Sequence, residues 1–230
     1  MTVSELTANK EEPGMKLLIL AANGQIARIV EQRILNEPQF SDVELTLGLR
    51  RAERLSALAS NPRVTVIETD LEDAASVGRA VAGQDMVFVA VVDHDRDNRM
   101  TKNVITAMQA HHVHRIIFTN ILGIYNEVPG EFGRWNLAQV RSGLAAAQQS
   151  DQLLAESDLA YTTLRLPWLN NRDEVKYTVT TRNEPYVGVS GSRQSVADVV
   201  LKIVADPDFA ANDSIGMADP DTQGEDRPVY

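Results

Sequence analysis

Lys16-Leu-Leu-Ile-Leu-Ala-Ala-Asn-Gly-Gln-Ile-Ala-Arg-Ile-Val30 is the stretch that decides the fold. A short apolar run with no polar interruption reads as a strand buried on both faces of a parallel sheet. It ends in small residues, passes Gly24, and continues with the apolar spacing of a helix from Gln25. A tight strand-to-helix turn of this kind turns backbone N–H groups and a helix N-terminus toward an anion, commonly a dinucleotide pyrophosphate. The spaced small positions are Ala21, Gly24 and Ala27, so two alanines stand where a strict glycine fingerprint has glycine. The turn residues Ala22, Asn23, Gly24, Gln25 and Ile26 are the first candidates for cofactor binding.

Working outward, the same rhythm repeats. Strand-like runs at 43–49, 64–69, 86–92, 115–120, 161–166 and 214–218 alternate with helical patterns at 52–59, 74–81, 99–111, 136–156 and 195–205. Val, Ile and Leu dominate the runs, and the connections are long enough for crossover helices. The expectation is an α/β, Rossmann-type doubly wound parallel sheet. Residues 15–218 form a single domain on this reading, with a small substrate-facing lobe at 167–192, where the strand–helix rhythm lapses. Residues 1–14 read as a disordered polar arm and 219–230 as a loosely held acidic tail.

Composition narrows the partners. A net charge of −10 over 230 residues argues against nucleic acid and against an anionic membrane surface, both of which require clustered Lys and Arg. With no cysteine, thiol catalysis, disulfides and cysteine zinc sites are excluded. No apolar run approaches the roughly 20 residues of a membrane span. The expectation is a cytoplasmic protein, monomer or homodimer, acting on a small molecule.

In doubly wound sheets ligands lie beyond the carboxyl ends of the strands, so each strand end is a candidate. The second is followed by Arg50 and Arg51 rather than by the acidic residue that commonly binds the ribose hydroxyls of NAD. Two guanidiniums suit a 2′-phosphate, because Arg presents a fork of donors to phosphate oxygens; NADP is therefore favoured, with NAD possible. The third ends at Asp70 and Leu71, where the carboxylate either accepts from an adenine amino group or caps the next helix. The fourth ends in Ala90, Val91 and Val92, small enough to pack against a ribose, and the fifth in Thr119 and Asn120. Asp93-His-Asp-Arg-Asp97 and His111-His-Val-His114 invite a metal, but carboxylates at a helix start and histidines at a helix end answer to the helix dipole. No metal site is expected.

Ile117-Phe-Thr-Asn-Ile-Leu-Gly-Ile-Tyr125, Tyr161-Thr-Thr-Leu-Arg-Leu-Pro167 and Ser195-Val-Ala-Asp-Val-Val200 together resemble the atypical short-chain dehydrogenase/reductases, nearest to the NAD(P)H-binding NmrA-like, epimerase/dehydratase-like branch. The likeness runs from about Met15 to Ala218. It implies that Pro167, Trp168 and Leu169 pass near a nicotinamide. It also implies a Tyr-x-x-x-Lys pair and a hydroxyl residue for carbonyl chemistry. Here the hydroxyl place is Ile121, and the pair would fall near Gly143 and Ala147. No Tyr in the chain has Lys four residues on. The resemblance, with that pair missing, implies an NAD(P)H-dependent oxidoreductase whose acceptor needs little acid catalysis, a quinone or flavin. Tyr125, Asn126 and Trp135 would line the acceptor pocket, with Trp168 opposite. The alternative is a non-catalytic NAD(P)-sensing regulator.

Overall fold

A computed structural model describes residues 14–230. The arm expected at 1–14 lies outside the described residues apart from Gly14. Ten strands and five α-helices follow in the order β1 (Lys16–Leu20), α1 (Gln25–Asn36), β2 (Glu44–Leu49), β3 (Val64–Glu68), α2 (Ala74–Val81), β4 (Met86–Val89), α3 (Arg99–Ala110), β5 (Arg115–Ile121), α4 (Gly130–Ala155), β6 (Ala160–Leu166), β7 (Trp168–Asn170), β8 (Thr178–Thr180), β9 (Ser190–Ser192), α5 (Arg193–Ala205) and β10 (Asp213–Ala218). The main sheet runs β3-β2-β1-β4-β5-β6-β10-β8, parallel throughout except for the antiparallel edge strand β8. The order reverses between β1 and β4, which opens a crevice over the carboxyl end of β1.

The apolar run of β1 is explained by this central place. Leu17 and Ile19 pack with α1 and α5, while Leu18 and Leu20 pack with α2 and α3 on the opposite face. All four side chains are fully buried, each contributing roughly 2 kcal/mol of hydrophobic stabilisation. The expected Rossmann-type sheet is therefore the one the chain adopts.

Four local expectations change. Residues 52–60 wind as a 3₁₀ helix, because Leu55 alone of the nine is buried and no apolar stripe rewards an α-helix. α4 begins at Gly130, six residues before the expected start. Gly130 and Gly133 disguise it in sequence, while burial of Phe132 against Leu122, Val128 and Val189 holds that first turn in place. The segment 167–192 is divided: β7 and β9 pair with each other, and β8 joins the edge of the main sheet. The acidic tail is tied down rather than loose. Val229 donates its N–H to Ser190 Oγ at 2.8 Å, and the Thr222 hydroxyl accepts from the N–H groups of Val189 and Ser190.

Candidate functional site

The turn after β1 forms one wall of the crevice. Ala21 takes a left-handed backbone, φ 58°, and its carbonyl accepts from the Gly24 N–H at 3.0 Å. This tight turn brings Gly24 to the N-cap of α1, where no side chain caps the helix and no acidic residue occupies the first turn. The first N–H groups of α1 therefore face the crevice without an intrahelical acceptor. A Cβ on Gly24 would stand 3.4 Å from the Ala21 carbonyl oxygen and 3.6 Å from that of Ala90, ordinary contact distances, so nothing within the protein demands glycine there. Gly48, by contrast, is needed for packing, since a Cβ there would press on Leu20 and Thr69 at 3.0 Å.

The crevice is a cleft of about 910 Å³. Ala21, Asn23 and Gly24 lie at its floor, and Arg50, Arg51 and Arg54 stand at the end of β2. Asp70 and Leu71 follow β3, and Ala90, Val91 and Val92 follow β4, leading to Asp93, His94 and Asp95 at the far wall. All three guanidiniums are exposed, and among the described residues none is tied to a carboxylate. This donor set, an uncapped helix N-terminus beside free guanidiniums over a glycine, fits an anion with several phosphate oxygens.

The carboxylates of the cleft are largely spent on the backbone. Asp70 Oδ1 accepts from the Glu72 N–H at 3.0 Å, and Asp73, not Asp70, caps α2 through the Ala75 N–H. Asp93 is buried; its Oδ2 accepts from both the N–H and the hydroxyl of Thr101 at the start of α3, and its Oδ1 from the Asp95 N–H. Asp95 accepts in turn from the Asp97 and Arg99 N–H groups. The acidic run thus organises a loop and a helix start. Among the described residues no three His, Asp or Glu come together to hold a metal.

Nine of the expected cofactor residues meet in this cleft: Asn23, Gly24, Arg50, Arg51, Asp70, Leu71, Ala90, Val91 and Val92. Ala22 lies buried beneath the turn, donating to the Gly48 carbonyl, while Gln25 is exposed on the first turn of α1 and Ile26 packs into the core. Thr119 and Asn120 are buried and satisfied internally: the Thr119 hydroxyl donates to the Val89 carbonyl, and Asn120 Nδ2 to that of Ala147. Pro167, Trp168 and Leu169 stand off the cleft at the start of the β7–β9 ribbon.

Of the four expected acceptor residues, Trp135 and Trp168 face each other, and Tyr125 and Asn126 stand together on the turn after β5. The Tyr125 hydroxyl donates to Asp151 near the far end of α4, with the Arg165 guanidinium 5.4 Å above its ring. Burial, and then the carboxylate beside it, push its pKa above the ordinary phenol value. Asn126 is an exposed left-handed turn residue, φ 56°. Trp135 does meet Trp168, ring centroids 4.6 Å apart, and Asn136 accepts from the Trp168 indole N–H at 2.9 Å. Sequence reasoning missed Arg54 and His94. Arg54 was visible as a third Arg beyond the same strand, whereas His94 showed only as part of a metal-like run.

The model of the NAD(P)H-binding family matches residues 21–207. The chain belongs to that family. No curated protein sequence matches it. Among solved structures, this NAD(P)H-binding protein is similar to a short-chain dehydrogenase/reductase (wide type) from Veillonella parvula in complex with NADP, at 26% identity and a TM-score of 0.85, covering 94% of this chain and 100% of that one. It is 32% identical to a Rossmann-fold NAD(P)-binding family protein from Shigella flexneri, with a TM-score of 0.72 over 94% of this chain and 98% of the other. An anaerobillin reductase from Escherichia coli shares the fold, at 18% identity and a TM-score of 0.74 over 94% and 100% of the two chains. The NAD(P)H-binding protein is thus an atypical short-chain dehydrogenase/reductase in fold, as its sequence motifs implied.

Proposed function

We propose that this protein is an NADPH-dependent oxidoreductase that reduces a quinone or flavin-type acceptor. The observation that carries the cofactor choice is the cluster of Arg50, Arg51 and Arg54 around the end of β2. In this orientation the guanidiniums bind the 2′-phosphate and the first turn of α1 binds the pyrophosphate. Leu71 packs on the adenine, and Ala90, Val91 and Val92 line the path toward the nicotinamide. Bound NADPH supplies a hydride. The chain's own contribution is to orient that end along the strand ends that line the cleft; orientation provides most of the rate. The missing Tyr-x-x-x-Lys pair disfavours the carbonyl–alcohol interconversion which that pair serves.

The test is incubation with NADPH and a panel of soluble quinones and flavins, following loss of reduced-nicotinamide absorbance. Turnover with at least one acceptor, faster with NADPH than with NADH, supports the reading. Saturable binding without turnover on any acceptor refutes it and leaves a nucleotide-sensing regulator.

A further inference from the structure

α4 carries one glycine beyond its first turn, Gly143. Glycine inside a helix is destabilising by roughly 0.5–1 kcal/mol against alanine, so its place calls for a reason. The structure gives one: the His94 imidazole occupies the side-chain space of residue 143. A Cβ on Gly143 would stand 3.3 Å from His94 Nδ1 and 4.0 Å from its Cε1, a tighter approach than side chains ordinarily make. The ring comes from the opposite wall, on the loop after β4, and it also lines the cleft.

That loop is rigid on both sides of the histidine. Asp93 is pinned to Thr101 and to the Asp95 N–H, and Asp95 holds the N–H groups of Asp97 and Arg99. With both neighbouring carboxylates spent on the backbone, His94 is the side chain that the loop presents to the cleft and to α4. Imidazole both gives and takes a proton near neutral pH.

We propose that His94, seated in the notch left by Gly143, is the proton donor to the acceptor of this enzyme. The inference rests on the oxidoreductase reading above and deepens it by naming the acceptor as a quinone carbonyl. The quinone takes a hydride from NADPH, and its reduced oxygen takes the imidazolium proton. The products are hydroquinone, NADP⁺ and a neutral imidazole, which regains its proton from water in the open cleft.

Two variants and two readouts test the role. His94→Gln keeps a polar side chain but cannot transfer a proton near neutral pH; turnover of a soluble naphthoquinone should fall about 100-fold, the lower end of general-acid effects. The NADPH dissociation constant should stay within about threefold. Gly143→Ala should crowd the ring and slow turnover several-fold without lowering the melting temperature, since alanine favours the helix. Independently of turnover, the His94 imidazole resonance in the wild-type protein should shift on saturation with NADP⁺. An undiminished rate in His94→Gln, or a resonance that NADP⁺ does not move, overturns the proposal alone. So does a variant that loses NADPH affinity more than tenfold at unchanged kcat, which would make His94 a cofactor ligand. A wild-type protein that binds NADPH yet reduces no quinone overturns the oxidoreductase reading together with the donor.

Discussion

Ala21→Gly probes the turn on which the cofactor reading stands. Ala21 sits at φ 58°, where an L side chain crowds its own carbonyl, at a cost of about 1–2 kcal/mol. The conformation persists because the Ala21 carbonyl accepts from Gly24 and the next N–H, of Ala22, donates to the Gly48 carbonyl at 3.2 Å. Glycine removes that cost but loses about 0.4–1 kcal/mol through the freer unfolded chain. The balance is a stabilisation of about 0.5–1 kcal/mol. For a protein of this size each kcal/mol moves Tm by roughly 2–4 °C, so the expected rise is about 1–4 °C by differential scanning calorimetry. Since the turn keeps its shape, NADP⁺ affinity should change less than threefold. A Tm that falls would refute the left-handed placement of residue 21, and with it the geometry that presents the α1 N-terminus to a phosphate.

Three further substitutions separate fold from site. Gly24→Ala has an allowed backbone and no clash inside the protein, so its Tm should hold while the added methyl group weakens NADP⁺ binding at least tenfold by titration calorimetry. Arg165→Leu removes a fully buried guanidinium that donates to Glu127 at 2.8 Å and to the carbonyls of Thr180, Thr181 and Ser214, stranding a buried carboxylate; urea unfolding should show a loss of about 3–5 kcal/mol. Glu31 is buried in α1, and desolvation pushes its pKa up to about 7 against the pull of Arg28. The folded state then holds a proton that the unfolded chain releases above its own value of 4.5, so stability falls as pH rises from there to about 7, by up to about 3 kcal/mol. Glu31→Gln should flatten that fall when unfolding is compared at pH 5 and pH 8.

How far the sequence could be read depends on which interactions are local. Leu17 to Leu20 announced a strand buried on both faces because all four side chains are apolar, whichever way they point. Arg50 and Arg51 were legible because a strand end fixes where the next residues stand. The start of α4 was not, since Gly130 and Gly133 carry weak helix propensity and the contacts that hold that turn come from the loop after β5 and the residue before β9. Arg165, read as part of a nicotinamide-adjacent motif, proves to be a buried tie between β6, β8, β10 and the Tyr125 loop. Tyr125 was placed by its nearness to β5, but its hydroxyl answers to Asp151, 26 residues away on α4. The His94–Gly143 seat joins two loci with no shared pattern, so only the folded chain brings it to view.

The central claim is that the cleft at the end of β2 is built for NADP(H). Titration calorimetry of NADP⁺ and NAD⁺ against wild type and the Arg50→Ala/Arg51→Ala double variant tests it most directly. Exposed charge-assisted contacts contribute about 1–1.5 kcal/mol each, so the double variant should bind NADP⁺ about 30- to 150-fold more weakly and NAD⁺ within threefold of wild type. Equal wild-type affinity for the two nucleotides, or equal losses in the variant, would contradict it.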